Sequence, residues 1–148
     1  MSYLLDTHTI IWFINGDAAL SAKARKIIET NSAGNFVSIA SLWEIAIKVS
    51  LGKLELGAPF SEIKFQLDQN GFQLLPMTWE DTLLIASLPF HHRDPFDRIL
   101  VAQSINNKLD IITRDEQFKA YNVSFNLGIG SHSMKAIYFG SFVPRDAD

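Results

Sequence analysis

The sequence contains no cysteine among its 148 residues. Without thiols, neither a disulfide framework nor a thiolate metal site can form. Internal repeats and low-complexity segments are absent as well. Any metal site in this chain would therefore have to use ligands other than thiolate.

Long apolar runs are also missing. The longest ones, such as residues 9–14, are too short to cross a bilayer, and no basic region precedes Asp6. With 47% hydrophobic residues, the chain is long enough for one well-buried core. We expect a single-domain cytoplasmic protein with no membrane partner.

Positive charge is scarce, since the formal net charge is −3 at pH 7. This balance argues against a protein that holds nucleic acid by broad electrostatic attraction. It does not exclude a nuclease, because bound metal ions would offset negative charge at an acidic site. Basic residues are concentrated in the segment that carries Asp97 and Asp115, so a phosphate could approach there: Arg93, Arg98, Lys108, Arg114 and Lys119.

Aromatic residues, by contrast, are abundant, with 11 Phe and 3 Trp. This is more than the interior of so small a domain needs. Another chain is therefore expected to cover some aromatic surface.

Apolar periodicity and capping signals predict alternating strands and helices. Strands are expected at residues 3–5, 36–39, 73–76, 110–113 and 123–125. Helices are expected at residues 8–14, 21–30, 41–50, 60–69, 79–87 and 95–106, with a short one ending at Ala120. This alternation predicts an α/β fold, a three-layer α/β/α sandwich with a central parallel sheet.

Four carboxylates stand near ends of these elements: Asp6, Glu44, Asp97 and Asp115. Because ligands of open parallel sheets bind outside the carboxyl ends of the strands, we expect the four to meet at one edge. Clustered carboxylates repel by roughly 3 kcal/mol per pair at about 5 Å and an effective dielectric near 20, so cations must balance them. Oxygen ligands predict Mg²⁺ or Mn²⁺ as the metal cofactor.

Two of these acids also have ordinary structural explanations. Glu44 follows Ser41 at capping-box spacing and precedes Lys48 at the spacing of an exposed ion pair. Asp97 lies in the first turn of a helix that Asp94 can cap, where the helix dipole favours an anion.

The other two acids differ in how well an ordinary role explains them. Asp115 can cap the helix that follows it, and Thr113 and Glu116 offer a further capping-box spacing. Asp6 directly ends an apolar strand, where a buried charge is costly unless a metal or a backbone nest compensates it.

Residues beside the acids are candidates for substrate binding. Thr7 can place a hydroxyl beside the metal, although such residues are often turn or cap residues. Arg98 and Arg114 are candidates for binding RNA phosphate, with an ordinary surface charge as the alternative. His91 and His92 lie on a loop and are expected to be exposed to solvent rather than to bind metal.

Four segments, in order along the chain, match a known family pattern. They are LLDTH at residues 4–8, SIASLWEIAIK at 38–48, LPFHHRDPFDRILVAQ at 88–103 and IITRDEQF at 111–118. Together they resemble the PIN-domain nucleases, particularly the VapC-type toxins of bacterial toxin-antitoxin systems. The similarity extends over residues 3–123 and is more specific than any single acidic motif.

The resemblance implies an endoribonuclease dependent on Mg²⁺ or Mn²⁺, with residues 1–125 as a PIN-like nuclease domain. By position, Asp6, Glu44, Asp97 and Asp115 correspond to the four acids of the family, which are catalytic and bind the metal. Thr7 corresponds to the hydroxyl residue beside the first acid. The resemblance further implies an RNA substrate, a homodimer, and inhibition by a cognate antitoxin that lies across the active-site groove.

Residues 126–148 depart from the family pattern. Within this C-terminal extension, residues 135–143 resemble an edge strand or a docking segment, with an exposed tail as the alternative.

Two other functions compete with the nuclease. A phosphatase that forms an aspartyl-phosphate also places a nucleophilic Asp after an apolar strand, but its acid/base Asp would stand at the position of His8. In a non-catalytic protein-binding module, the acids would only cap helices.

Overall fold

The structure is a computed structural model that describes residues 2–31 and 34–121 and three short strands at 125–126, 131–132 and 136–138. The strands are β1 (Tyr3–Leu5), β2 (Asn35–Ser38), β3 (Gln73–Leu75), β4 (Asp110–Thr113), β5 (Phe125–Asn126), β6 (Ser131–His132) and β7 (Ala136–Tyr138). The α-helices are α1 (Thr7–Asn15), α2 (Ala22–Thr30), α3 (Ile39–Ser50), α4 (Ile63–Gln69), α5 (Trp79–Ser87) and α6 (Pro95–Asn107). Short 3₁₀ helices lie at Phe60–Glu62 and Glu116–Tyr121.

The main sheet is parallel and has the strand order β3-β2-β1-β4-β7. Its central strand β1 is buried along its whole length. β5 and β6 form a separate antiparallel pair. Because parallel neighbours point the same way, the carboxyl ends of β1, β2 and β4 lie at one edge of the sheet.

Alternate residues of the central strands pack into different hydrophobic cores. Leu5 and Ile112 belong to one core, which includes buried residues of α1, α2, α3 and α4. Leu4 and Ile111 belong to the other core, with residues of α5 and α6. The sheet therefore has helices on both faces, which confirms the predicted three-layer sandwich.

Capping residues explain where several helices begin. Ser21 caps α2, and Asp94 caps α6 with Pro95 at its first position. At α3, however, the cap is Ser38, whose side chain accepts from the amide of Ala40. The capping box predicted at Ser41 is therefore wrong, since the helix starts two residues earlier.

The C-terminal extension contributes to the main sheet. β7 pairs in parallel with β4 at the sheet edge, so the edge strand predicted in residues 135–143 is confirmed at Ala136–Tyr138. The rest of that predicted segment lies outside the described residues. So do residues 123 and 124 of the predicted last strand, whereas Phe125 lies in β5. The division of the chain at residue 125 stays a prediction.

Among the residues that the structure describes, no helix has the length and apolarity needed to cross a membrane.

Candidate metal centre

The site is at the sheet edge where β1, β2 and β4 end. Asp6 follows β1 directly, and Asp115 lies two residues beyond β4. α3 begins directly after β2 and carries Glu44 in its second turn, while Asp97 lies in the first turn of α6. The topology thus supplies acids from four different parts of the chain.

Asp6 is a buried carboxylate with a double role. It is the N-cap of α1, where its Oδ1 accepts from the Thr9 amide at 2.8 Å. Its Oδ2 accepts a short hydrogen bond from the Thr113 hydroxyl. Each oxygen of an ionised carboxylate can accept a further contact. These hydrogen bonds therefore orient the carboxylate and leave each oxygen a lone pair for a cation.

Thr113 connects two of the predicted site acids. Besides donating to Asp6, its Oγ1 accepts from the backbone amide of Asp115 at 2.9 Å. Thr113 is fully buried at the end of β4. From the sequence, Thr113 was predicted only as part of a capping box, because the partner of its hydroxyl lies 107 residues away.

Asp115 lies in a compact group with Asp97 and His92. One potential ligand atom from each of the three lies within 4.8 Å of the others. His92 Nε2 lies 3.3 Å from Asp115 Oδ2. The structure therefore brings Asp97 and Asp115 together directly, with Asp6 joined to Asp115 through Thr113.

His92 corrects the prediction for the histidine pair. Its side chain is only 2% exposed, so the expectation of an exposed loop residue is wrong for His92. Its ring packs on Phe118 with centroids 4.4 Å apart. His91 is exposed, as predicted. Neighbouring loop residues project in different directions, and the sequence carries no signal for which of the two is buried.

Glu44 lies outside that group and forms an ion pair. Its Oε2 lies 3.0 Å from Lys48 Nζ, which confirms the predicted pair one helical turn away. The pair is less exposed than predicted, since Glu44 is only 7% exposed. Asp6 and Glu44 do not belong to the group within 4.8 Å that His92, Asp97 and Asp115 form.

Thr7 lies beside the first acid, as predicted, and connects two helices. Its hydroxyl donates to Ser41 Oγ at 3.1 Å, and both side chains are buried. Ser41 is one helical turn before Glu44 on α3. The pair therefore fixes the start of α1 against the segment of α3 that carries Glu44.

The two arginines differ in their surroundings. Arg98 is buried and donates to the carbonyls of Ile85, Leu88 and Pro89 at 2.9, 3.3 and 3.1 Å. Such contacts favour a role in holding the loop before α6 over RNA binding. Arg114 is partly exposed, and its guanidinium donates to the Ala19 carbonyl. The Cζ of Arg114 lies 5.2 Å from the centroid of a Trp12 ring.

The donor set fits a hard divalent cation. Mg²⁺ binds oxygen at about 2.0–2.1 Å, so two ligand atoms on opposite sides of one ion lie at most about 4.2 Å apart. One ligand atom of Asp97 and one of Asp115 lie within 4.8 Å of each other, and Asp6 retains lone pairs on both oxygens. These three residues would hold the ion, and Glu44 would complete the acidic set.

Comparison with known proteins gives the family context. The family model for the PIN domain matches residues 3–123. A comparison with curated protein sequences found no significant match.

Solved structures with similar folds come from toxin-antitoxin systems. One is VapBC2 from Rickettsia felis bound to a promoter DNA fragment, at 16% identity and a TM-score of 0.60, covering 81% of this chain and 92% of that chain. A toxin-antitoxin complex from Klebsiella pneumoniae has 18% identity and a TM-score of 0.56, with 79% and 90% covered. VapBC-5 from Mycobacterium tuberculosis has 21% identity and a TM-score of 0.50, with 93% and 98% covered. At these identities the likeness shows the fold.

Proposed function

Because this chain belongs to the PIN-domain family, we propose that it is a Mg²⁺- or Mn²⁺-dependent endoribonuclease, the toxin of a toxin-antitoxin pair. The observation that carries the proposal is the convergence of distant acids. Asp97 and Asp115 lie in one group. The Thr113 hydroxyl is hydrogen-bonded to both the Asp6 carboxylate and the backbone amide of Asp115. Carboxylates gathered in this way need a cation to offset their repulsion.

In this proposal each acid has a defined task. Asp6, Asp97 and Asp115 hold the metal, and Glu44 acts directly or through water. One or two metal ions held there would supply an activated water for in-line attack on the scissile phosphate and positive charge to stabilise the departing oxygen. The hydroxyl of Thr113 and the amide of Thr9 keep the Asp6 carboxylate oriented, so that it does not have to reorganise when metal and RNA bind.

Arg114 is the better supported of the two arginines as an RNA contact. Its side chain is partly exposed and adjoins Asp115, whereas Arg98 is buried against backbone carbonyls. A guanidinium near the metal would bind a phosphate next to the scissile bond. Thr7 is buried against Ser41, so its contribution is to position the acids on α1 and α3.

Exposed apolar residues on α3 support a protein partner. Ile39, Trp43 and Ile47 recur every four residues and are exposed, which places them on one face of the helix. Trp43 also contacts Phe96, the neighbour of Asp97, at a centroid distance of 5.1 Å. An antitoxin segment that covers this face would lie next to Glu44 and Asp97, the chain neighbours of Trp43 and Phe96. A homodimer stays a proposal.

The phosphatase alternative has less support. It requires an acid two residues after the nucleophile, and this chain has His8 there, with its ring 5.7 Å from that of Trp12. The family match and the arrangement of acids both favour the nuclease.

The test is incubation of the purified protein with total cellular RNA and Mg²⁺, followed by mapping of the cut ends. We expect cleavage that leaves 5′-phosphate ends and stops when EDTA removes the metal. Asp6→Asn should abolish cleavage, while Asp68→Asn, which alters an exposed carboxylate on α4, should leave it intact. Full cleavage by Asp6→Asn would refute the proposal.

A further inference from the structure

His92 is an imidazole buried against one of the proposed metal ligands. Its Nε2 is 3.3 Å from Asp115 Oδ2, and its ring rests on the fully buried Phe118. An ionised carboxylate can only accept a hydrogen bond, so the nitrogen facing it must carry the proton. With Asp115 ionised, the 3.3 Å contact is therefore an Nε2–H group that donates to the carboxylate.

This contact helps to orient the Asp115 carboxylate. Its Oδ1 accepts a hydrogen bond from the Gln117 amide at 2.9 Å, and His92 contacts its Oδ2. Asp6 has the same pattern, with a backbone amide on Oδ1 and the Thr113 hydroxyl on Oδ2. In both acids, a backbone amide lies at Oδ1 and a side-chain group lies at Oδ2. An ionised carboxylate oxygen has more than one lone pair, so one such contact does not by itself prevent it from binding a cation.

The loop that carries His92 is anchored on both sides. Before it, the carbonyls of Leu88 and Pro89 accept from the Arg98 guanidinium. After it, Asp94 caps α6 by accepting from the Phe96 amide at 2.8 Å. The imidazole is thus presented to Asp115 from a fixed backbone, and Arg98 acts on the site through this loop.

We propose that His92 is a positioning residue that donates a hydrogen bond to Asp115 and sets the direction in which this carboxylate meets the metal. This inference deepens the proposed function and rests on it. Partners of this kind behind a metal ligand typically change metal affinity 10- to 100-fold when they are lost.

Direct ligation by the imidazole is the competing chemistry. Imidazole suits transition metals, whereas carboxylate sites suit Mg²⁺ and Mn²⁺. In direct ligation, Nε2 would face the metal as an unprotonated donor and could not donate to Asp115. Pulsed electron paramagnetic resonance of the Mn²⁺-loaded protein separates the two, because only a coordinated imidazole gives a strong nitrogen coupling.

The experiment measures Mn²⁺ binding by isothermal titration calorimetry for the wild-type protein and three variants. His92→Leu fills the space without a donor, and His92→Gln retains an N–H near the position of Nε2. His91→Ala is the matched control at the exposed neighbour. Circular dichroism and melting curves on each variant establish that it is folded.

We expect 10- to 100-fold weaker Mn²⁺ binding by His92→Leu, binding by His92→Gln within about threefold of wild type, and no change in His91→Ala. The pulsed spectrum should lack coordinated imidazole. Unchanged affinity in folded His92→Leu, equal weakening in His92→Gln, or a coordinated imidazole would overturn the inference while leaving the nuclease proposal standing. Absence of Mn²⁺ binding by the wild-type protein would overturn both.

Discussion

Replacing Thr113 by valine is a sharp test of how the acids are held together. The substitution keeps the side-chain shape and removes the hydroxyl that donates to Asp6 and accepts from the Asp115 amide. The position is fully buried, so water cannot easily substitute for the lost group. The Asp6 carboxylate and the Asp115 amide would each lose a partner.

The expected cost follows from those two contacts. A hydrogen bond to a charged group contributes about 1.5–3 kcal/mol, and a partly buried amide left without its acceptor costs about 1 kcal/mol. Thr113→Val should therefore lower the free energy of unfolding by about 2.5–4 kcal/mol. Thr113→Ser retains the hydroxyl and should lose only about 1 kcal/mol through the missing methyl group.

Urea denaturation of the metal-free proteins measures this difference. Because the hydroxyl also orients a proposed ligand, Thr113→Val should in addition weaken Mn²⁺ binding about 10- to 100-fold. A valine variant as stable as the serine variant, with unchanged Mn²⁺ affinity, would refute the bridging role of Thr113.

Two further predictions concern stability. Arg98→Met should lower the free energy of unfolding, measured in urea, by about 2–4 kcal/mol, because three carbonyls lose their donor. Arg114→Met should lower it by no more than about 1.5 kcal/mol, because only the Ala19 carbonyl loses a donor among the hydrogen bonds described above. Equal effects of the two substitutions would contradict this contrast. Mn²⁺ at 100 times its dissociation constant should stabilise the protein by about 2.7 kcal/mol, raising the melting temperature by about 5–10 °C. EDTA should reverse that shift, and Asp115→Asn should abolish it; a shift that persists in Asp115→Asn would place the metal elsewhere.

Local signals explain which parts of the fold could be predicted. α5 and β4 begin and end where expected, because their limits depend on nearby turn, capping and apolar residues. At α3, the sequence pattern predicted only Ser41 as a cap, whereas Ser38, three residues earlier, caps the helix, and periodicity did not identify it. β7 pairs with β4 from beyond the recognised pattern, which only the tertiary structure reveals.

The site was predictable as a set of acids but not as a set of contacts. Asp6 and Asp115 stood out because they follow strands that end at one sheet edge. Their link through Thr113 depends on the register of β1 and β4, and the burial of His92 depends on Phe118. Arg98, next to Asp97, was considered either an RNA contact or an ordinary surface charge, because its carbonyl partners come from residues 9 to 13 positions earlier and no local pattern indicates them.

Anomalous diffraction from crystals soaked in Mn²⁺ tests the shared cation most directly. We predict an anomalous difference peak within coordination distance of carboxylate oxygens from Asp6, Asp97 and Asp115. This peak should vanish in crystals of the Asp97→Asn variant. A peak remote from these oxygens, or none in a crystal whose acids are accessible to solvent, would contradict it.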